Sequence, residues 1–174
     1  MVYEDTALVA FDKPSGLLVV RDRWDRELAN LVDEVRAAGH ADWQNVHRID
    51  RETSGLILFA KSAEALTHVA RQFEGQQVAK TYLALVSPAP TAATGTIDAP
   101  LADDTQRPGR MIVSQRGAAA RTDYEVLEAW RGRWAWLRLR PHTGRTHQLR
   151  VHLAMLGSPI VAEHPMKVGC PPWK

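Results

Sequence analysis

The order of apolar patterns along the chain sets the tightest limit on its fold. Helical spacing comes early, and most short strand-like runs come late. Leu28, Leu31, Val32 and Val35 recur at three- and four-residue steps, with Gly39 as a natural stop. A second helix is expected after Ser62, with Leu66, Val69, Ala70 and Phe73 on its apolar face and Gly75 at its end. Residues 7–11, 17–20, 55–60 and 80–86 read as strands, and Asp12-Lys13-Pro14-Ser15-Gly16 as the turn between the first two. Further strands are expected at 95–98, 111–113, 122–130 and 134–139, the last two joined into a hairpin by Arg131-Gly132-Arg133. Residues 145–156 read as a helix ending at Gly157. The Pro-, Ala- and Thr-rich segment 87–100 is the best candidate for a subdomain boundary. This order fits an α+β fold, with a mixed, largely antiparallel sheet and flanking helices, better than regular β-α units.

A chain of 174 residues is long enough to bury a full core as one domain, here taken as 1–174. No apolar run approaches membrane-spanning length, and the acidic start does not resemble a signal peptide. The one cysteine, Cys170, cannot form an internal disulfide, which points to a reducing, cytoplasmic setting; a monomer is expected. The net charge of +2 hides an asymmetry: residues 1–104 carry −6, residues 105–155 carry +7, and the tail +1. Every basic residue in the middle segment is arginine, suited to phosphate contacts and to stacking on bases. A solvated strand face explains the charge alone equally well.

Two motifs break that tie. Residues 47–55 read His-Arg-Ile-Asp-Arg-Glu-Thr-Ser-Gly and hold one carboxylate, Asp50, between Arg48 and Arg51. Positive charge on both sides favours an ionised acid, as a nucleophile or base on an anionic substrate requires. Near the C-terminus stands Thr143-Gly144-Arg145-Thr146-His147-Gln148-Leu149-Arg150-Val151-His152, and between them lies Lys80-Thr81-Tyr82. Together these closely resemble the RluA-like family of RNA pseudouridine synthases, which carries H-R-L-D-R-x-T-S-G, K-x-Y and T-G-R-T-H-Q-[IL]-R-V-H in this order. The resemblance runs from about residue 4 to residue 161.

The resemblance implies the pseudouridine synthase fold, two halves around a central basic cleft, and isomerisation of uridine to pseudouridine in structured RNA, ribosomal or transfer. It implies Asp50 as the essential acid, Tyr82 against the target base, and Arg150 as the partner of Asp50. Arg48 matches a residue that enters the RNA stack, and a guanidinium can fill the gap left by a flipped base. His47, Arg51, Arg145, His147 and Gln148 are expected as scaffold or RNA contacts. On a helix beginning near Arg145, His147 and Arg150 would share one face. The isomerisation needs no redox, metal or phosphoryl chemistry, so no cofactor is expected. His142, His147 and His152 at five-residue steps would spread around a helix rather than cluster on a metal. Trp130, Trp134 and Trp136 are expected to pack across a hairpin.

The sequence departs from the family pattern at Ile49, at Ser158 and at Ala162-Glu163. An S4-type RNA-binding domain, common at the N-terminus of relatives, is not seen. Two other classes compete: a non-catalytic RNA-binding module with the same fold, and a glycoside hydrolase. The hydrolase would need a second carboxylate about 5–10 Å from the first. Glu52 is the close acid in sequence, and no motif supports it.

Overall fold

A computed structural model describes residues 1–23 and 25–161, and the chain divides into two compact units, 1–78 and 79–174. The first unit contains β1 (Tyr3–Glu4), β2 (Leu8–Lys13), α1 (Leu31–Ala37), β3 (Gln44–Asn45), β4 (Gly55–Ala60) and α2 (Ala63–Glu74). Its four strands form an antiparallel sheet in the order β1-β2-β4-β3. Val9, Ile57 and Phe59 from β2 and β4 are buried with Val19 and with Leu31 and Val35 of α1. Each such side chain contributes about 1.5–3 kcal/mol on full burial.

Both early helices are capped by their own sequence. Asn30 accepts from the Asp33 N–H at 3.0 Å, and Ser62 accepts from the Ala65 N–H at 3.2 Å. Gly39 ends α1 in the left-handed region at φ 97°, as its position predicts. Gly75 caps α2 at φ −76°, and the left-handed residue is Gln76 instead. Residues 17–20 do not form the expected strand. The carbonyls of Leu18 and Val19 accept the Leu31 and Val32 N–H groups, so this segment satisfies the first turn of α1 rather than a sheet.

The second unit contains β5 (Tyr82–Val86), β6 (Thr94–Asp98), β7 (Leu101–Asp103), β8 (Met111–Val113), β9 (Arg121–Trp130), β10 (Trp134–Pro141) and α3 (Gln148–Met155). Four strands form an antiparallel sheet in the order β5-β10-β9-β6, and β7 pairs with β8 as a separate hairpin. Ala135, Leu137 and Leu139 alternate inward along β10 against Ala84, Val86, Tyr124 and Leu153. The hairpin has its own small core, in which Leu101, Met111 and Ala120 meet Val151 of α3. Arg131 and Gly132 turn β9 into β10 with positive φ at both, as the hairpin reading expects. Trp134 pairs in register with Trp130, whereas Trp136 faces Glu128 and stays exposed. A bulge leaves Leu127 without a partner in the ladder.

Segment 87–100 is not the boundary between the units, which falls after Val78. β6 already lies within that segment and pairs with β9, which ties it into the second sheet. The departures at Ala162-Glu163, the prolines at 165, 171 and 172, Cys170, Trp24 and Trp173 lie outside the described residues.

Candidate active site

The nonapeptide is a loop bound at both ends. At its start the His47 Nε2 accepts the Leu58 N–H of β4 at 3.2 Å, and the ring stacks on Phe73 of α2 at 4.8 Å. The Asp50 carbonyl accepts the Thr53 N–H at 3.1 Å, closing a tight turn under the acid. Arg51 and Gly16 exchange bonds: Gly16 N–H donates to the Arg51 carbonyl at 2.8 Å, and Arg51 Nε donates to the Gly16 carbonyl at 3.0 Å. Ser15 Oγ donates to the Glu52 carbonyl at 2.7 Å. Asp50 is partly buried, while Arg48 and Arg51 are exposed.

Beneath this loop lies a residue that the motif reading missed. Lys13 is fully buried, and its ammonium donates to the carbonyls of Pro14 at 2.9 Å, Leu17 at 2.6 Å and Arg51 at 3.1 Å. Burial pulls its pKa below the usual lysine value, and the carboxylates of Glu52 and Asp50 oppose that pull. Three carbonyls take up all three N–H groups of the ammonium. The sequence does carry a signal: period two along β2 puts Lys13 on the inward side with Val9 and Phe11. A lysine at an inward position needs internal partners.

In the second unit, residues 143–148 form a knot around Gln148. Gln148 is 4% exposed. Its Oε1 accepts from Thr143 Oγ1 at 2.7 Å and from the Arg145 N–H at 3.0 Å. Its Nε2 donates to the Arg121 carbonyl and to Thr122 Oγ1, each at 3.0 Å. These four bonds tie the loop and the start of α3 to β9. Arg145 is exposed, with Nε bonded to the Ala119 carbonyl at 3.0 Å. The knot delays the helix, so α3 begins at Gln148 and not near Arg145. His147 is therefore the N-cap, left-handed at φ 53°, and does not share a helical face with Arg150. Its Nδ1 is buried with no hydrogen-bond partner among the described residues.

Tyr82 opens β5 opposite Leu139, and Arg150 lies in the first turn of α3; both are partly buried. Lys80 Nζ donates to the Thr143 carbonyl at 3.1 Å, which ties the segment before Tyr82 to the loop before Arg150. Asp50 belongs to the first unit, and Tyr82 and Arg150 to the second.

The arginine-rich segment divides by environment. Arg138 and Arg140 meet Glu125 at 2.8 and 3.8 Å, Arg121 meets Asp123 at 3.9 Å, and Arg110 meets Asp104 at 3.6 Å. Arg107 and Arg116 are exposed and form no ion pair among the described residues. The turn between β7 and β8 closes on itself, Asp104 N–H donating to the Arg110 carbonyl at 2.8 Å and Arg107 N–H to the Asp104 carbonyl at 3.2 Å. The histidines have separate partners: His142 meets Asp123 at 2.6 Å, and buried His152 meets Thr122 Oγ1 and the Ala99 carbonyl, each at 2.9 Å. Among the described residues, no helix is long and apolar enough to cross a membrane.

Three comparisons agree. The family described as RNA pseudouridylate synthase matches residues 7–155. The dual-specificity RNA pseudouridine synthase RluA of Escherichia coli is 36% identical over 164 residues, covering 94% of this chain and 74% of the relative. The ribosomal large subunit pseudouridine synthase D of Nitrosomonas europaea is 37% identical over 172 residues, but this chain spans only 48% of it. Among solved structures, human RNA pseudouridylate synthase domain containing 4 superposes with a TM-score of 0.75 at 30% identity, over 91% of this chain and 65% of that one.

Proposed function

The chain belongs to the RNA pseudouridylate synthase family, and on that premise we propose that it isomerises uridine to pseudouridine in ribosomal or transfer RNA, with Asp50 as the essential acid. The observation that carries the assignment is the nonapeptide itself, one carboxylate set between two arginines on a loop that Lys13, Ser15 and His47 hold to the sheet. The reaction breaks the N1–C1′ bond, turns the base, joins C5 to C1′ and releases the C5 proton. Uracil is both leaving group and nucleophile, so the atoms balance without a co-reactant. A carboxylate serves this as nucleophile on sugar or base, or as proton acceptor.

Tyr82 is assigned to the face of the target base, its hydroxyl available to the C5 proton. Arg150 is assigned as the cation that balances the carboxylate, and Arg48 to the stack opened by the flipped nucleotide. The exposed Arg107 and Arg116, with Arg51 and Arg145, take phosphates. His47 and Gln148 act through the loops they hold, and His147 through its place at the head of α3. We further propose a cytoplasmic monomer; sedimentation of the purified chain checks the monomer, and cell fractionation the location.

The test is site mapping of RNA from a strain lacking the gene, before and after incubation with purified protein. Wild type should convert specific uridines, and Asp50→Asn should lose at least about a hundredfold in rate while still binding RNA. RNA binding without conversion by wild type would leave a non-catalytic binding module, and a free uracil product would indicate a hydrolase.

A further inference from the structure

Lys80 is a partly buried cation that the scaffold leaves incompletely answered. Its ammonium carries three donors, and the Thr143 carbonyl at 3.1 Å accepts one. Among the described residues it forms no ion pair, and desolvation with no opposing carboxylate holds its pKa below the ordinary lysine value. Its aim is fixed, because Thr143 Oγ1 is held between Gln148 Oε1 at 2.7 Å and the Arg121 N–H at 3.1 Å.

Beside it lies Gly144, and nothing among the described residues requires glycine there. Gly144 is not in the left-handed region, unlike Gly16, Gly55 or Gly157. A Cβ added to it would meet Lys80 Nζ at 3.7 Å, ordinary van der Waals contact, and, its chain neighbours aside, no other atom of the described residues within 4 Å. The bare backbone and the ammonium thus border the same open space. Glycine at an unstrained, unfilled position suits close approach by a ligand, and the ammonium makes that ligand an anion.

We propose that Lys80 Nζ and the backbone at Gly144 form a seat for one phosphodiester of the RNA, adjoining the nucleotide that Tyr82 receives. The proposal rests on the RNA-modifying function above. Lys80 lies two residues before Tyr82, and Gly144 lies in the loop that leads to Arg150. A phosphate held there fixes the strand backbone on both, so it sets where the target nucleotide stops. A phosphodiester can place one oxygen on the ammonium and lie flat over an α-carbon that lacks a side chain.

Polyuridylate is the probe, because its binding needs neither turnover nor a known target. Affinity is measured across a salt series for wild type, Lys80→Arg, Lys80→Gln and Gly144→Ala, with melting curves for each. Lys80→Gln can keep a hydrogen bond to Thr143 but has no charge. It should bind about tenfold more weakly, the scale of one charge-assisted hydrogen bond. Its slope of log affinity against log salt should be shallower by about 0.7, one phosphate on a single strand. Lys80→Arg should recover the slope. Gly144→Ala should weaken binding with an unchanged melting temperature, because the new methyl occupies the seat and not the core. Wild-type affinity in either Lys80→Gln or Gly144→Ala overturns the proposal and leaves Lys80 as a brace for Thr143. Failure of the functional reading is separate, since it shows as absent conversion in the mapped RNA whatever polyuridylate does.

Discussion

Replacing Lys13 with methionine removes the ammonium on which three carbonyls converge, while keeping a chain of similar length and shape. The Arg51 carbonyl retains the Gly16 N–H at 2.8 Å, so it is not stranded. The Pro14 and Leu17 carbonyls lose contacts of 2.9 and 2.6 Å. Leu17 is half-buried and Pro14 exposed, so water answers part of the loss; at about 1–3 kcal/mol for each stranded acceptor, its upper limit is about 2–6 kcal/mol. Burying a thioether instead of an ammonium avoids a desolvation cost, which returns part of this. The expected net destabilisation is about 2–4 kcal/mol. Lys13→Arg should fare little better, because a planar fork cannot meet three convergent carbonyls in a fully buried site. Urea unfolding followed by circular dichroism measures the loss, and amide exchange at Gly16 reports whether the tie to Arg51 has loosened. A Lys13→Met protein within about 0.5 kcal/mol of wild type, the scatter of an ordinary surface change, would show that this lysine does not hold the nonapeptide in place.

Four further outcomes are expected. Tyr82→Phe should keep RNA affinity and slow single-turnover product formation, whereas an equal loss in both would mark Tyr82 as a positioning contact only. Arg107→Gln with Arg116→Gln should reduce the salt slope of RNA binding by about two phosphates, and Arg138→Gln with Arg140→Gln, which are already paired with Glu125, should change it less. Burial holds His152 below its ordinary value of 6.5, so the unfolded chain takes up the proton first on acidification. Stability present above that pH should then fall towards acid by at most about 1.4 kcal/mol per pH unit, and His152→Asn should flatten the slope in pH-dependent melting. Gly117→Ala should destabilise the second unit strongly in the same assay, because its Cβ would lie 2.4 Å from the Leu101 backbone.

The elements most legible in the sequence were those fixed by local chemistry. Ser62 and Gly75 bracket α2, β4 and β8 have the bounds their apolar runs suggest, and Arg131-Gly132 turns the long hairpin. The errors arose where a distant partner outweighed local preference. Residues 17–20 have strand composition, yet their carbonyls are needed by the first turn of α1. Residues 145–147 extend a helical pattern, yet Gln148 draws the Arg145 N–H and Thr143 into a loop that helix geometry would break. The site divides in the same way. Asp50, Tyr82 and Arg150 were readable as motif positions, because the family resemblance rests on residue types and their order. Lys13 was not, because its partners are backbone carbonyls, which leave no mark in the side-chain sequence; Lys80 was readable as the lysine of K-x-Y, but its tie to the Thr143 carbonyl was equally silent.

The β7–β8 hairpin stands on its own small core and touches α3 through Val151. The turn between its strands is closed by its own backbone bonds and by Arg110 on Asp104. Changes in the length and charge of residues 104–110 should therefore leave the sheet that carries Tyr82 undisturbed. On the proposed function, exchanging this turn should alter RNA affinity through the exposed Arg107 and leave the melting of the second sheet nearly unchanged.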